Sequence, residues 1–526
     1  MAKTTVTPIG NWSTYHDNGP FPTKSLLITT LQKNTGMSAI EKYNDATVEI
    51  RRLLQNCIDK KERFRAFGSA WSLCDIPHCS DQMHYNGNMN LKWTFQQSDL
   101  HAQSTLDAKN LFFFECGNTI KEVSNFMFSN GKSIKTTGAS NGQTIAGAIS
   151  TGIHGSAFDT GSVQDFVVGI QLIIGPGPND VVYIESASKT GLSDKYIKTL
   201  NARVIRDDAM FNAALVSLGS FGFIHGVVIE AEDLFLLKRY TRLISRETAL
   251  ELASKLGNKP SDNFLTGTNI DAMENGAKPF HYKFYVNPYN KKDKYLMEII
   301  YKKPYREDYP NPIPQIQTFI YKDLPEFMSI LAAKFNRQIP LLMQALKSSI
   351  FPAADKDTEG RLAEIFYDTY HAGPAFGISL GIDYKQLEKG LDLFINIANT
   401  VGPVPGAMGI RFVKASKATL AFTKFPITCI LEMDGITWKG NDHIVSLLEF
   451  ETKLLEAFRA NNIPFTLHWG KNSAWGIPGL VNNMYGAADD EWKVQRSKLL
   501  SKQMADIFSN DFLNRTKLSE YIRLLP

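Results

Sequence analysis

Apolar residues recur at helical spacing in two stretches near the N-terminus. From Ala46, residues Val48, Ile50, Leu53, Leu54, Cys57 and Ile58 form one stripe; Ile120, Val123, Phe126 and Met127 form another that Asn130-Gly131 stops. Each stripe leads into a strand pattern, "RFRAF" at 63–67 and "SIKTT" at 133–137, and each strand opens into a turn of tiny residues. Small-residue turns at the C-terminal ends of strands are where α/β folds commonly place ligands. Downstream, "DFVVGIQLII" and "VVYIES" flank "GPGPND" as strand, turn and strand. "DDAMFNAALVSLGSFG" is helical, with Met210, Phe211, Ala214, Leu215 and Leu218 on its buried side and Asp207 or Asp208 to cap it. "FIHGVVIEAE" returns as a strand.

A change near 237–240 begins a long mixed region that runs to about 440. It has helical spacing near 323–349 and 384–400, a proline-rich loop "KKPYREDYPNPIPQ", and strands near 410 and 427–434. The last part predicts a helix near 443–461, a strand "PFTLHWG" and a helical tail near 489–508.

A chain of 526 residues exceeds one hydrophobic core, so two or three domains are expected. The net charge of +4 is small and dispersed, which argues against a nucleic-acid partner. Five cysteines without a C-x-x-C pair read as reduced thiols, and ten histidines without ligand spacing predict no metal. The first residues lack the apolar core of a signal peptide, and no apolar run is long enough to span a bilayer. A soluble, cytoplasmic protein is the expectation.

The stretch "TTGASNGQTIAGAISTGIHG", 136–155, holds five glycines in twenty residues, against 37 in 526 overall. Small residues with free backbone N–H groups let the main chain approach a large anion, and glycine permits the positive φ such turns need. A dinucleotide pyrophosphate suits it, although the stretch is neither a Walker loop nor a Rossmann fingerprint. A tight turn between close-packed strands is the alternative.

Three segments together narrow this reading. "RAFGSAWS" (65–72), the stretch from Gly138 to Ile173 and "LGSFGFIHGVV" (218–228) resemble the FAD-binding domain of the vanillyl-alcohol oxidase, or p-cresol methylhydroxylase, type flavoproteins. The resemblance implies an α+β, two-domain fold with an antiparallel-sheet substrate (cap) domain. Its bounds would be 1–236 for the FAD-binding domain, 237–440 for the cap, and 441–526 for a segment returning to the FAD domain. It assigns cofactor contacts to Gly68, Ser69, Ala70, Trp71 and Ser72 in the first turn. In the Gly-rich stretch it assigns them to Gly138, Ala139, Gln143, Thr144, Gly147, Ala148, Thr151, Gly152 and Gly155. Phe223 and Ile224 fall at the adenine end.

"LHWGKNSAW" at 467–475 resembles the closing motif of the alditol oxidase and sugar-lactone oxidase branch, where a lysine, here Lys471, meets the flavin's N1/C2=O edge. "GIRFV" at 409–413 resembles that branch's E-I-R strand and puts Arg411 on the substrate arginine. "ITCILEMDG" places Glu432 and Asp434, two apart and so on one strand face, as polar substrate contacts. Thr144 is a further substrate contact, and His468 a candidate base. His154 reads as a structural hydrogen-bonder.

Departures matter as much. Trp71 stands where covalent members carry the histidine bonded to flavin, so non-covalent FAD is expected, with Cys74 and His78 the nearby alternatives for a linkage. Gly409 replaces the E-I-R glutamate, and the C-terminal signature is reduced to "MADIFSNDFLN". The implied activity is oxidation of CH–OH in a polyol, sugar, aldonolactone or similar alcohol by hydride transfer to flavin N5, with O2 as acceptor and H2O2 as product. Glu432 or Asp434 would be the base, Arg411 would hold the substrate oxygen, and Lys471 would stabilise reduced flavin. Alternatives are a dehydrogenase with another acceptor, a sterol or large-alcohol oxidase, and a catalytically silent FAD-binding protein.

Overall fold

A computed structural model describes the chain outside residues 32–35, 259–263, 266–272, 311–315, 318–338, 346–352, 367, 370–374, 438–444 and 524–526. Most of the helical pattern at 323–349 therefore lies outside the described residues; within it, Ile339–Ala345 is helical. The architecture is α+β, a mixed domain joined to a large antiparallel sheet.

The first domain holds two larger sheets, of four and six strands. One orders Lys3–Pro8, Ser25–Thr30, Gln82–Tyr85 and Phe64–Phe67; the other orders Arg203–Arg206, Val181–Glu185, Val167–Ile173, Phe223–Glu230, Leu111–Glu115 and Lys92–Thr94. Helix Ala39–Lys60 contacts strands of both sheets. A capping box of Ser38 and Glu41 starts it, and Tyr43, Ala46, Ile50, Leu53, Leu54 and Cys57 form its buried stripe. Val48 lies off that stripe and is 53% exposed, unlike its reading in the pattern. Asp207, not Asp208, caps helix Asp208–Leu215 by accepting from the Met210 N–H at 2.9 Å.

"SIKTT" differs from its strand reading. Only Lys132–Ser133 is a strand, paired with Glu232–Asp233, and residues 134–138 run on irregularly. The chain beyond is committed elsewhere. Gln143 and Asn141 carbonyls accept from the Ile120 and Lys121 N–H groups, satisfying donors that the start of helix Ile120–Ser129 leaves open.

The second domain is an eight-stranded antiparallel sheet. Its order is Thr358–Gly360, Phe235–Ile244, Tyr295–Pro304, His281–Val286, Gly406–Lys414, Ile427–Ile436, Ala375–Asp383 and Phe465–Leu467. Period-two alternation gives this sheet two unlike faces. Phe284, Met297, Ile410, Leu431 and Leu380 share one face by direct cross-strand pairing. Helices Arg246–Ser254 and Leu387–Thr400 pack against the sheet. The opposite face carries Glu298, Lys283 and Arg411 in one row, and Tyr285, Gly409, Glu432 and Ser379 in the next.

After Phe465–Leu467 the chain runs back to the first domain. Trp492 donates through Nε1 to the Val216 carbonyl at 3.0 Å. Buried Arg65 and Arg496 donate to the carbonyls of Gly219 and Phe508, and of Ser220 and Ala505. They tie the turn before Phe223 to the C-terminal helices.

Candidate active site

The polar sheet face carries a cluster of ions. Arg411 Nε lies 2.8 Å from Glu432 Oε2, outside hydrogen-bonding angles. Lys471 Nζ donates to Glu432 Oε1, and to Asp434 at 3.0 and 3.3 Å. The Ser379 hydroxyl donates to Glu432 Oε1 at 3.3 Å. Glu432 is almost wholly buried, with its hydrogen bonds on Oε1 and its Oε2 in ionic contact with Arg411. Asp434 differs: its side chain is 45% accessible although protein surrounds it, so it faces a recess. Burial raises its pKa to about 6 against the pull of Arg411 and Lys283. Burial, then Arg411 and Lys283, press Lys471 well below the usual lysine range.

Lys471 sits on a loop held from several sides. Glu451, on helix Leu447–Ala460, accepts from Asn472 Nδ2 at 2.6 Å and from the Ser473 and Ala474 N–H groups at 2.7 and 3.2 Å. Trp469 is fully buried, stacks on Trp475 at 4.7 Å and donates to the Leu420 carbonyl. The Gly470 carbonyl accepts from the Leu73 N–H at 2.8 Å, which fixes this loop to the first small-residue turn. A Cβ on Gly377 would fall 2.8 Å from both Leu73 Cδ1 and Asp434 Oδ1 and 3.2 Å from Lys471 Cδ, so the first turn, the loop and the cap strand meet there.

The two small-residue turns lie against each other. Ser69 Oγ donates to the Gly142 carbonyl at 2.6 Å, and a Cβ on Gly68 would fall 1.8 Å from Thr144 Oγ1. Ala70 adopts φ 53°, and Thr144 caps helix Ile145–Ser150. Trp71 stacks on Tyr15 at 4.6 Å, and its ring crowds Gly142. With the Gln143 amide oriented to satisfy its neighbours, it accepts from Trp71 Nε1 at 3.0 Å and donates to the Ser140 carbonyl. Thr137 Oγ1 and Ser156 Oγ are buried without a hydrogen-bond partner among the described residues. A close-approach backbone with unclaimed hydroxyls fits the demands of a dinucleotide pyrophosphate.

The expected residues thus fall into groups. Arg411, Glu432, Asp434 and Lys471 converge, and Gly68 to Ser72 meet both the Gly-rich stretch and the Lys471 loop. Gly138, Ala139, Gly147, Ala148, Thr151, Gly152 and Gly155 occupy the stretch and its short helix. Phe223 and Ile224 are instead buried within the six-stranded sheet, Phe223 near Phe64 and His84. His468 Nδ1 accepts from the Gly470 N–H at 3.1 Å, so its proton sits on Nε2; burial and Arg411 lower it to about 4. His154 lies 5.4 Å from the His468 ring, and its Nδ1 is 3.0 Å from the Gly155 carbonyl. The Cys74 thiol donates to the Trp469 carbonyl and burial pushes it up to about 12; His78 is within hydrogen-bonding distance of Pro22 and Thr23.

Sequence reasoning missed Lys283, Tyr285, Glu298 and Ser379 on the same face, and Glu451 behind the loop. The alternation in "HYKFYV" at 281–286 was the available signal for the first two.

No family model matches the chain. It is 32% identical over 139 residues to L-gulonolactone oxidase 3 of Arabidopsis thaliana, covering 26% of this chain and 21% of that protein. It is 26% identical over 204 residues to D-arabinono-1,4-lactone oxidase of Kluyveromyces lactis, covering 38% and 34% respectively. The matched segments thus span about a third of those relatives' lengths at most. Among solved structures, cholesterol oxidase from B. sterolicum superimposes with a TM-score of 0.68 at 13% identity, covering 98% of this chain and 97% of that one. A solvent-stable cholesterol oxidase gives 0.65 at 11% identity. The chain has the two-domain fold of the vanillyl-alcohol oxidase, or p-cresol methylhydroxylase, type.

Proposed function

We propose that the chain is an FAD-dependent oxidoreductase that oxidises a CH–OH group, with O2 as acceptor. The observation that carries this reading is the contact of Lys471 with Glu432 and Asp434 where the first small-residue turn meets the cap sheet. The turn at 68–72 and the stretch at 138–155 would hold the cofactor non-covalently, since an indole at Trp71 offers no attachment atom comparable to the histidine it replaces. When bound, FAD supplies the hydride acceptor.

The chain's own residues supply the rest. Asp434 takes the hydroxyl proton: it is accessible, and a pKa of about 6 leaves it ionised near neutrality yet able to accept a proton. Glu432 is the positioning carboxylate, holding Arg411 and Lys471 in place. Arg411 steadies the substrate oxygen, and Lys471 provides preorganised positive charge where negative charge develops on the cofactor. His468 is not the base, because its Nδ1 lone pair is engaged and Nε2 carries the proton. Polyols, sugars and aldonolactones form the first substrate panel; the lactone oxidases matched in sequence favour them over a sterol. Purified protein is expected to show an oxidised-flavin spectrum, bleach anaerobically with panel members and consume oxygen with them. Bleaching without oxygen consumption would mark a dehydrogenase.

A further inference from the structure

Lys283 is a buried cation on the polar sheet face that the mechanism above leaves unused. It is buried, and its ammonium donates to the Tyr285 hydroxyl at 2.7 Å. Every carboxylate near it is engaged by another cation. Glu298 faces His281 at 3.2 Å and Arg239 at 3.9 Å, Glu432 faces Arg411 and Lys471, and Asp434 faces Lys471. Among the described residues Lys283 has no carboxylate within ion-pair distance.

Its placement is specific. Lys283 lies opposite Arg411 and Tyr285 lies opposite Gly409, so both share the face of Glu432 and Asp434. The Lys283 stem leans over Gly409, where among the described residues a Cβ would meet Lys283 Cε alone, at 3.5 Å. The glycine leaves room for a small group beside Lys283, on the strand face that Tyr285, Arg411 and Glu432 share. At the position where the E-I-R pattern would present a carboxylate, this chain presents an ammonium. A buried ammonium without a counter-ion is costly, and burial with Arg411 pushes Lys283 down to about 7.

We infer that the recess over Gly409 binds a carboxylate of the substrate, through the Lys283 ammonium and the Tyr285 hydroxyl, beside the carbinol held at Asp434. The preferred substrates are hydroxycarboxylates rather than their neutral counterparts, a deepening that rests on the CH–OH reading above. An anion there supplies a counter-charge to a buried cation that makes no ion pair among the described residues.

The test uses the FAD-loaded protein and pairs differing only at one terminus: glycolate and ethylene glycol, lactate and propane-1,2-diol, gluconate and sorbitol. Binding is read by calorimetry at fixed ionic strength. In at least one pair the carboxylate is expected to bind about tenfold or more tighter than its neutral partner. Lys283→Met should collapse that ratio, and so should Gly409→Glu, which places an acid beside the ammonium without removing it. Equal binding within all pairs, or a preference that survives both variants, overturns the inference. Bleaching by neutral alcohols without carboxylate preference would leave the CH–OH reading standing. Carboxylate preference without bleaching by any compound would do the reverse.

Discussion

Lys471→Met deletes the ammonium and keeps the apolar stem, so the loop clamped by Glu451, Trp469 and Gly470 should fold unchanged. Two losses follow. Removing one preorganised charge that stabilises developing negative charge is typically worth about 3–4 kcal/mol, or roughly 10²–10³ in rate. The second loss falls on Asp434, which gives up a contact at 3.0 Å. At an effective dielectric constant of about 20, unit charges at that separation interact by about 5 kcal/mol, but solvent reaching a 45% accessible side chain screens this to roughly 1–2 kcal/mol. That corresponds to about one pKa unit. Glu432 keeps its contacts with Arg411 and Ser379. Anaerobic rapid mixing with a bleaching alcohol, repeated across pH, reads both effects. Flavin reduction should slow by about two to three orders of magnitude, and its acid limb should move upward from about 6. Wild-type rate with an unmoved limb would refute the charge-stabilising role and the Lys471–Asp434 coupling together.

Other substitutions separate the remaining roles. In the unmodified enzyme, kcat/KM should fall as pH drops through about 6, where Asp434 becomes protonated and stops accepting protons. Asp434→Asn should lose about 10²–10⁴ in rate and abolish that limb, whereas Glu432→Gln should keep the limb and weaken substrate binding; pH–rate profiles of both decide. Acid precipitation should release FAD into the supernatant, because Trp71 provides no linkage; flavin remaining with the pellet would implicate another side chain. Glu451→Ala strands the Asn472, Ser473 and Ala474 donors in a buried site, and should cost about 3 kcal/mol or more in denaturant unfolding. A loss below about 1 kcal/mol would show that the loop holds itself.

Much of the meeting of the two small-residue turns was legible in the chain because it rests on local chemistry. Glycines crowd into one segment, and close approach at Gly68 and Gly142 needs no knowledge of distant residues. The strand at Gly406–Lys414 and the run of Ile427–Ile436 were readable for the same reason, as was the shared face of Glu432 and Asp434. Lys283 was not, although "HYKFYV" alternates cleanly, because alternation does not say which face looks into the site. Only its pairing with Gly406–Lys414, over 120 positions away, decides that. Glu451 falls on the buried side of its helix beside Phe450, Leu454 and Leu455, yet a helical glutamate reads as solvent-facing until its partner loop is known. "SIKTT" misled through β-branched composition, where the neighbouring helix start took up the following backbone instead.

In the proposed reaction the carbinol would give its hydride to FAD and its hydroxyl proton to Asp434, with Arg411 and Lys471 supplying positive charge. Anaerobic stopped-flow reduction of the flavin by one bleaching hydroxy compound, with the carbinol carbon carrying hydrogen or deuterium, tests it most directly. Slower reduction with deuterium, together with reduction about 10²–10⁴ slower in Asp434→Asn, is the expected result. Flavin that no alcohol, lactone or hydroxycarboxylate reduces, or reduction equally fast with both isotopes and unaffected by Asp434→Asn, would contradict it.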